Sequence, residues 1–89
     1  MQTQATSTFL KQLEALPEKV REQVERFAFD ELRKVESLSG LANVKKLRGY
    51  RFSYRARFGD YRVGIELEGN TAVLKVVMHR RNVYRRFPG

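Results

Sequence analysis

The chain has no cysteine and no tryptophan, and only one histidine and two prolines in 89 residues. Without cysteine, disulfides and thiolate metal sites are excluded. A lone histidine cannot build a zinc site, and no clustered carboxylate motif supplies the missing ligands. No apolar run approaches the roughly 18 residues of a membrane-spanning helix. The opening stretch MQTQATSTF has neither a charged start nor an apolar stretch behind it, so a signal peptide is not expected. The expectation is a cytoplasmic protein that uses no metal, no cofactor and no membrane.

What is present is a small core and a lopsided charge. Hydrophobic content of 42% suffices for one thin domain, residues 1–89, and argues against disorder. Residues 1–44 carry six Lys/Arg and seven Asp/Glu, a balance of −1. Residues 45–89 carry twelve Lys/Arg and three Asp/Glu, a balance of +9. All of the net +8 therefore lies in the second half, which points to an anionic partner for that half.

The hydrophobic period divides the chain the same way. Thr6 or Ser7 can cap a short helix with Phe9, Leu10, Leu13 and Leu16 on one face. Pro17 suits the first position of a second helix, with Glu18 in its first turn. Val20, Val24, Phe27, Ala28, Leu32 and Val35 follow at three- and four-residue steps, so this helix is predicted to reach about Ser37, with Gly40 ending it. QTQA, ahead of the helices, alternates weakly and reads as a short strand. A loop is predicted at 39–49. The period then becomes two, and YRFSYRARF (50–58), YRVGIELE (61–68) and TAVLKVVMH (71–79) read as strands. Gly59-Asp60 and Gly69-Asn70 fit two-residue hairpin turns. The predicted fold class is α+β, a helical hairpin packed on an antiparallel meander.

Alternation also assigns the faces. Tyr54, Ala56 and Phe58, with Tyr61, Val63, Ile65 and Leu67, form the apolar face that the helices cover. Arg55, Arg57, Arg62 and Gly64 face away. Same-face residues on paired strands lie within about 5 to 8 Å of each other. Three arginines that close repel unless an anion lies between them. The last strand is apolar on both sides and is predicted to be interior. It delivers His79, Arg80 and Tyr84 to one end of the sheet.

Arginines with a tyrosine, and no metal ligands, suit phosphate chemistry. Arginine binds phosphate bidentately and can stabilise the extra charge of five-coordinate phosphorus. Removing one such donor from a preorganised site costs roughly 3–4 kcal/mol in the barrier. Arginine cannot be the general base, since its pKa exceeds about 12. Tyr84 can, if the cations around it favour its phenolate form. RNA asks least of such a site, because its 2′-hydroxyl is a nucleophile already positioned beside the phosphate. DNA hydrolysis would usually call on metal ions. Each feature also has a plainer reading. Arg55 and Arg57 can be a solvated sheet face, His79 a structural residue and Tyr84 the packing of a terminal turn. Lys45-Lys46 can be a solvated patch, and RRNVYRR a basic tail. Their joint occurrence in one half of a small chain favours the site.

FLKQLEALPEKVREQV (9–24), KKLRG (45–49), YRARFGDYRVGIELE (54–68) and HRRNVYRR (79–86) together resemble the RelE/ParE superfamily of toxins from bacterial type II toxin–antitoxin systems, the RelE branch above all. The resemblance implies one strand, two antiparallel helices and a three-stranded meander. It also implies a metal-independent endoribonuclease that cuts mRNA in the ribosomal A site, halts translation and is neutralised by a cognate antitoxin. The family's catalytic positions fall on Arg55, Arg57, Arg62, Arg80 and Tyr84, and further RNA contacts are expected from Lys45, Lys46, Arg48, Arg81 and Arg85. The best-studied member has lysines where this chain has Arg55 and Arg57, which moves proton removal toward Tyr84, ribosomal RNA or water. No role is assigned to His79. A ParE-like inhibitor of DNA gyrase without nuclease activity is the alternative. Under either reading the expected partner is an acidic antitoxin, and under the first also the ribosome and mRNA.

Overall fold

The computed structural model describes residues 1–88. In chain order these form β1 (Gln2–Ala5), α1 (Ser7–Glu14), α2 (Glu18–Arg26), α3 (Leu32–Lys34), β2 (Val44–Lys46), β3 (Ser53–Phe58), β4 (Tyr61–Glu68), β5 (Thr71–His79) and α4 (Arg80–Arg86). A π-helical stretch, Phe27–Glu31, joins α2 to α3. The sheet has the order β1-β5-β4-β3-β2, with β1 parallel to β5 and the other neighbours antiparallel. The α+β class, the short first strand and the interior last strand are as expected from the sequence.

The two hairpins are set by glycine. Phe58 pairs with Tyr61 and Glu68 with Thr71, so each connection has two residues. Gly59 and Gly69 take φ of 59° and 60°, the left-handed region that opens a type II′ turn and that other residues adopt only at a cost.

The apolar residues at helical spacing fill one face of the sheet. Phe9, Val24, Phe27 and Leu32 are buried against Ala56, Val63, Ile65 and Leu74. Burying one such side chain is worth about 1.5–3 kcal/mol. Thr6 caps α1 by accepting from the Phe9 N–H at 3.0 Å, and its hydroxyl donates to the Lys75 carbonyl at 2.8 Å, tying helix start to strand β5. At Lys75 the β5 ladder slips by one residue: Gly64 pairs with Val76 but Ile65 with Leu74. This bulge lets Leu74 and Val77 both face the core, though three positions apart.

Five details depart from the sequence reading. Leu10 is 44% exposed, so the apolar stripe of α1 is Phe9 and Leu13 alone. Pro17 sits just before α2 as its cap position, one residue earlier than predicted. The helical run stops at Lys34, because Val35 is extended and the Met1 ammonium collects the carbonyls of Leu32, Arg33 and Val35. The predicted loop at 39–49 contains a turn of 3₁₀ helix, Leu38–Gly40 at its start, and strand β2, which makes the antiparallel part four-stranded rather than three. That pairing forces residues 47–52 to make the connection, so β3 begins at Ser53 and not at Tyr50.

The largest surprise is α4. The RRNVYRR segment is a helix, and it lies on the sheet face opposite the other helices. Val83 and Phe87, four residues apart, bury themselves in a second apolar cluster with Met78, Val76 and Leu47.

Candidate functional site

The strand register places the basic side chains. Lys45 stands across from Arg55, and Arg55 across from Gly64. In the next row on the same face, Arg57 stands across from Arg62. Directly opposed like charges on a sheet are destabilising. Their presence here needs a reason outside the fold.

These rows floor a cleft of about 370 Å³. Its lining includes Lys45, Lys46, Arg48, Arg55, Arg57 and Arg62, together with Tyr84, Asn43 and Leu47. Among the described residues, no carboxylate, histidine or thiol lines it. Tyr84 is brought over the sheet by α4, where its ring lies under the Arg55 guanidinium, 4.5 Å from Cζ to the ring centre. This cation–π contact holds both groups without neutralising the charge. The tyrosine remains 67% exposed, so its hydroxyl is open to a ligand.

Each arginine is held differently. Arg62 Nη1 donates to the carbonyls of Gly59 at 2.6 Å and Tyr61 at 3.0 Å, which anchors the guanidinium to its own hairpin. Arg57 is fixed through its backbone: its N–H donates to the Asn43 carbonyl at 2.9 Å, tying β3 to the loop before β2. The Nε of Arg55 is buried with no hydrogen-bond partner among the described residues. A buried N–H on a cation that goes unpaired is costly, and an anion's oxygen would relieve that cost.

Seven of the ten residues singled out from the sequence line this one cleft: Lys45, Lys46, Arg48, Arg55, Arg57, Arg62 and Tyr84. Arg80, Arg81 and Arg85 do not line it. Arg80 opens α4 beside the β3–β4 turn, where its Nε lies 3.8 Å from the Asp60 carboxylate and its backbone N–H donates to the Asp60 carbonyl at 2.7 Å. Arg81 and Arg85 are exposed on α4. His79 has a structural task. Its Nδ1 accepts from the Arg81 N–H at 3.2 Å, capping α4, and its ring meets Tyr61 edge-on at 5.4 Å.

Sequence reasoning passed over Asn43 and Leu47, and it did not see that a helix carries Tyr84. The available signal was the i, i+4 pair Val83 and Phe87, thinly stated among four arginines.

No protein-family model matches the chain. Over 82 residues it is 38% identical to Toxin RelE3 of Methanocaldococcus jannaschii, a match spanning 91% of this chain and 92% of that protein. Among solved structures it is similar to a chain of the RelB–RelE antitoxin–toxin complex from Methanococcus jannaschii. That match has a TM-score of 0.80 and 34% identity, covering 96% of this chain and 99% of the other. A chain of the RelBE2 toxin–antitoxin complex from Mycobacterium tuberculosis matches with a TM-score of 0.68 and 30% identity, over 89% of this chain and 96% of that one.

Proposed function

The chain belongs to the RelE toxin family, and from that premise we propose that it is an endoribonuclease toxin whose basic cleft cuts mRNA in the ribosomal A site. The observation that carries this reading is the convergence of Arg55, Arg57, Arg62 and Tyr84 on one cleft with no carboxylate among the described residues of its lining.

The chemistry is transesterification. The 2′-oxygen of the RNA attacks the adjacent phosphorus, forming the O2′–P bond as the P–O5′ bond breaks. The products are a 2′,3′-cyclic phosphate and a 5′-hydroxyl. One proton must leave the 2′-hydroxyl and one must reach the departing 5′-oxygen. Tyr84, the exposed phenol beside the guanidinium groups, is assigned the proton transfer. Arg55, Arg57 and Arg62 hold the phosphate and stabilise the charge that builds on its oxygens. The donors here are guanidinium, ammonium and phenol, so the proposed route asks for no metal ion.

Lys45, Lys46 and Arg48 extend the positive lining toward the β2–β3 connection and would guide the backbone of the message. Arg80, Arg81 and Arg85 lie outside the cleft and are assigned to flanking RNA, message or ribosomal. The whole chain is proposed to act as one toxin domain in the cytoplasm. Its proposed partner is an antitoxin, which the paired state of the solved relatives supports, and the cationic face calls for an acidic one. The matched proteins come from archaea as well as a mycobacterium, so the likeness carries no bacterial source with it.

The test is cleavage of a defined mRNA on purified ribosomes, read by primer extension. Cuts within the A-site codon, ending in a 2′,3′-cyclic or 3′-phosphate, are expected. Intact message at stoichiometric protein, with a reference toxin cutting in parallel, overturns the reading. Inhibition of gyrase supercoiling alongside intact message would transfer the protein to the ParE-like alternative.

A further inference from the structure

We infer that Phe87 is a positioning residue for Tyr84, seated in a notch that Gly64 leaves in the sheet. The inference rests on the cleavage reading above, in which Tyr84 moves a proton.

A seven-residue helix does not hold a place on a protein surface by its own hydrogen bonds. α4 is fixed by the His79 cap at its start and by two buried side chains, Val83 and Phe87. The Phe87 N–H donates to the Val83 carbonyl at 2.9 Å, so Phe87 closes the last turn and Tyr84 stands one turn before it. The Phe87 ring is packed onto bare backbone. A Cβ on Gly64 would lie 2.6 Å from Phe87 Cγ and 2.8 Å from Val76 Cγ2, closer than atoms can approach. Only glycine leaves this seat open.

The position of the seat gives it meaning. Gly64 is the register partner of Arg55, the residue whose guanidinium covers the Tyr84 ring. The contacts therefore close a circuit: Gly64 seats Phe87, Phe87 sets α4, α4 places Tyr84, and Tyr84 meets Arg55 beside Gly64. A shift of the ring at one point moves the phenol relative to the arginine. Misplacement of a reacting group by about 1 Å can cost about a hundredfold in rate.

A residue that merely adds to the core predicts something different from one that acts through Tyr84, and a double-mutant cycle separates them. Phe87→Ala is expected to lower the single-turnover cleavage rate on ribosomes about a hundredfold with little change in KM. In a Tyr84→Ala background the same substitution should add almost nothing. Phe87→Leu should recover most of the rate. Gly64→Ala should be slow, since the added methyl meets both the Phe87 ring and Val76.

A second readout needs no activity. The Arg55 Nε–H proton, shielded by the Tyr84 ring, should move to an unshielded NMR position in Phe87→Ala while the strand amides stay in place. Should Phe87→Ala unfold, Phe87→Leu carries the same cycle and the same spectrum, with smaller changes. Wild-type cleavage by Phe87→Ala, an equal loss with and without Tyr84, or an unmoved Arg55 resonance would each overturn the inference. If the wild-type protein cuts no message, the nuclease reading falls, and the spectrum alone still decides whether Phe87 sets the Tyr84–Arg55 contact.

Discussion

The two faces of one sheet have been put to opposite uses. Ala56, Val63 and Ile65 point to the helices and are wholly buried. Arg55, Arg57 and Arg62 alternate with them and point to the cleft. The backbone and the hydrogen bonds are shared, and only the parity of the residue differs. The first face supplies the burial that stabilises a thin domain. The second carries charge repulsion that opposes folding, softened at one end by the small cluster under α4. Under the proposed cleavage, a side chain's parity therefore predicts whether its loss is felt in stability or in RNA chemistry.

The largest effects should come from the helix-covered face. Phe27 is buried and packs edge-on against Phe58 at 5.1 Å between ring centres. Phe27→Ala should cost about 3–5 kcal/mol in urea unfolding, enough to leave much of so small a protein unfolded. On the cleft face, Arg62→Ala should lower the cleavage rate by about 10²- to 10³-fold, or about 3–4 kcal/mol in the barrier. Its urea midpoint should stay close to wild type. A large loss of stability in Arg62→Ala would break the contrast, since the guanidinium would then be needed to hold the β3–β4 hairpin through Gly59 and Tyr61.

Much of this contrast was legible in the sequence, because alternation is a strong signal wherever a strand has one wet and one dry side. Strand β4 and the cleft positions of Arg55, Arg57 and Arg62 followed from period two, and the turns from their glycines. Strand β2 did not, because three residues carrying Lys45 and Lys46 at a sheet edge show no alternation to read. α4 was hidden for a related reason. Its apolar side is Val83 and Phe87 only, and its partner surface exists only once Gly64, Val76 and Met78 have been brought together. The end of the helical run at Lys34 depends on a chain terminus 34 positions away from Val35, which no local pattern encodes. Arg80 looked equivalent to the cleft arginines in sequence, and it is Asp60 in the β3–β4 turn that engages it.

A smaller test asks whether the arginine pair really opposes folding. Arg57→Gln removes one of two charges that face each other across β3 and β4 while keeping a long polar side chain. It should raise stability by about 0.2–1 kcal/mol, with the gain shrinking as salt is added. The same variant should bind single-stranded RNA with a salt slope shallower by about 0.7. A fall in stability instead would mean that Arg57 contributes packing along its stem that outweighs the repulsion.

The smallest expected effect marks the edge of the cleft face. Asp60 and Arg80 are joined twice, once by an ion pair and once by the backbone hydrogen bond from Arg80 to the Asp60 carbonyl. Both side chains are more than half exposed, so solvent screens the pair. Asp60→Asn keeps the backbone bond and should change unfolding stability by less than about 0.5 kcal/mol. It also removes one of the three acids in the basic half of the chain, so binding of single-stranded RNA should tighten slightly and lose the difference at high salt. If cleavage instead falls sharply in Asp60→Asn while stability holds, the carboxylate must be orienting Arg80 for the reaction. The working surface would then extend past the β3–β4 turn to include the start of α4.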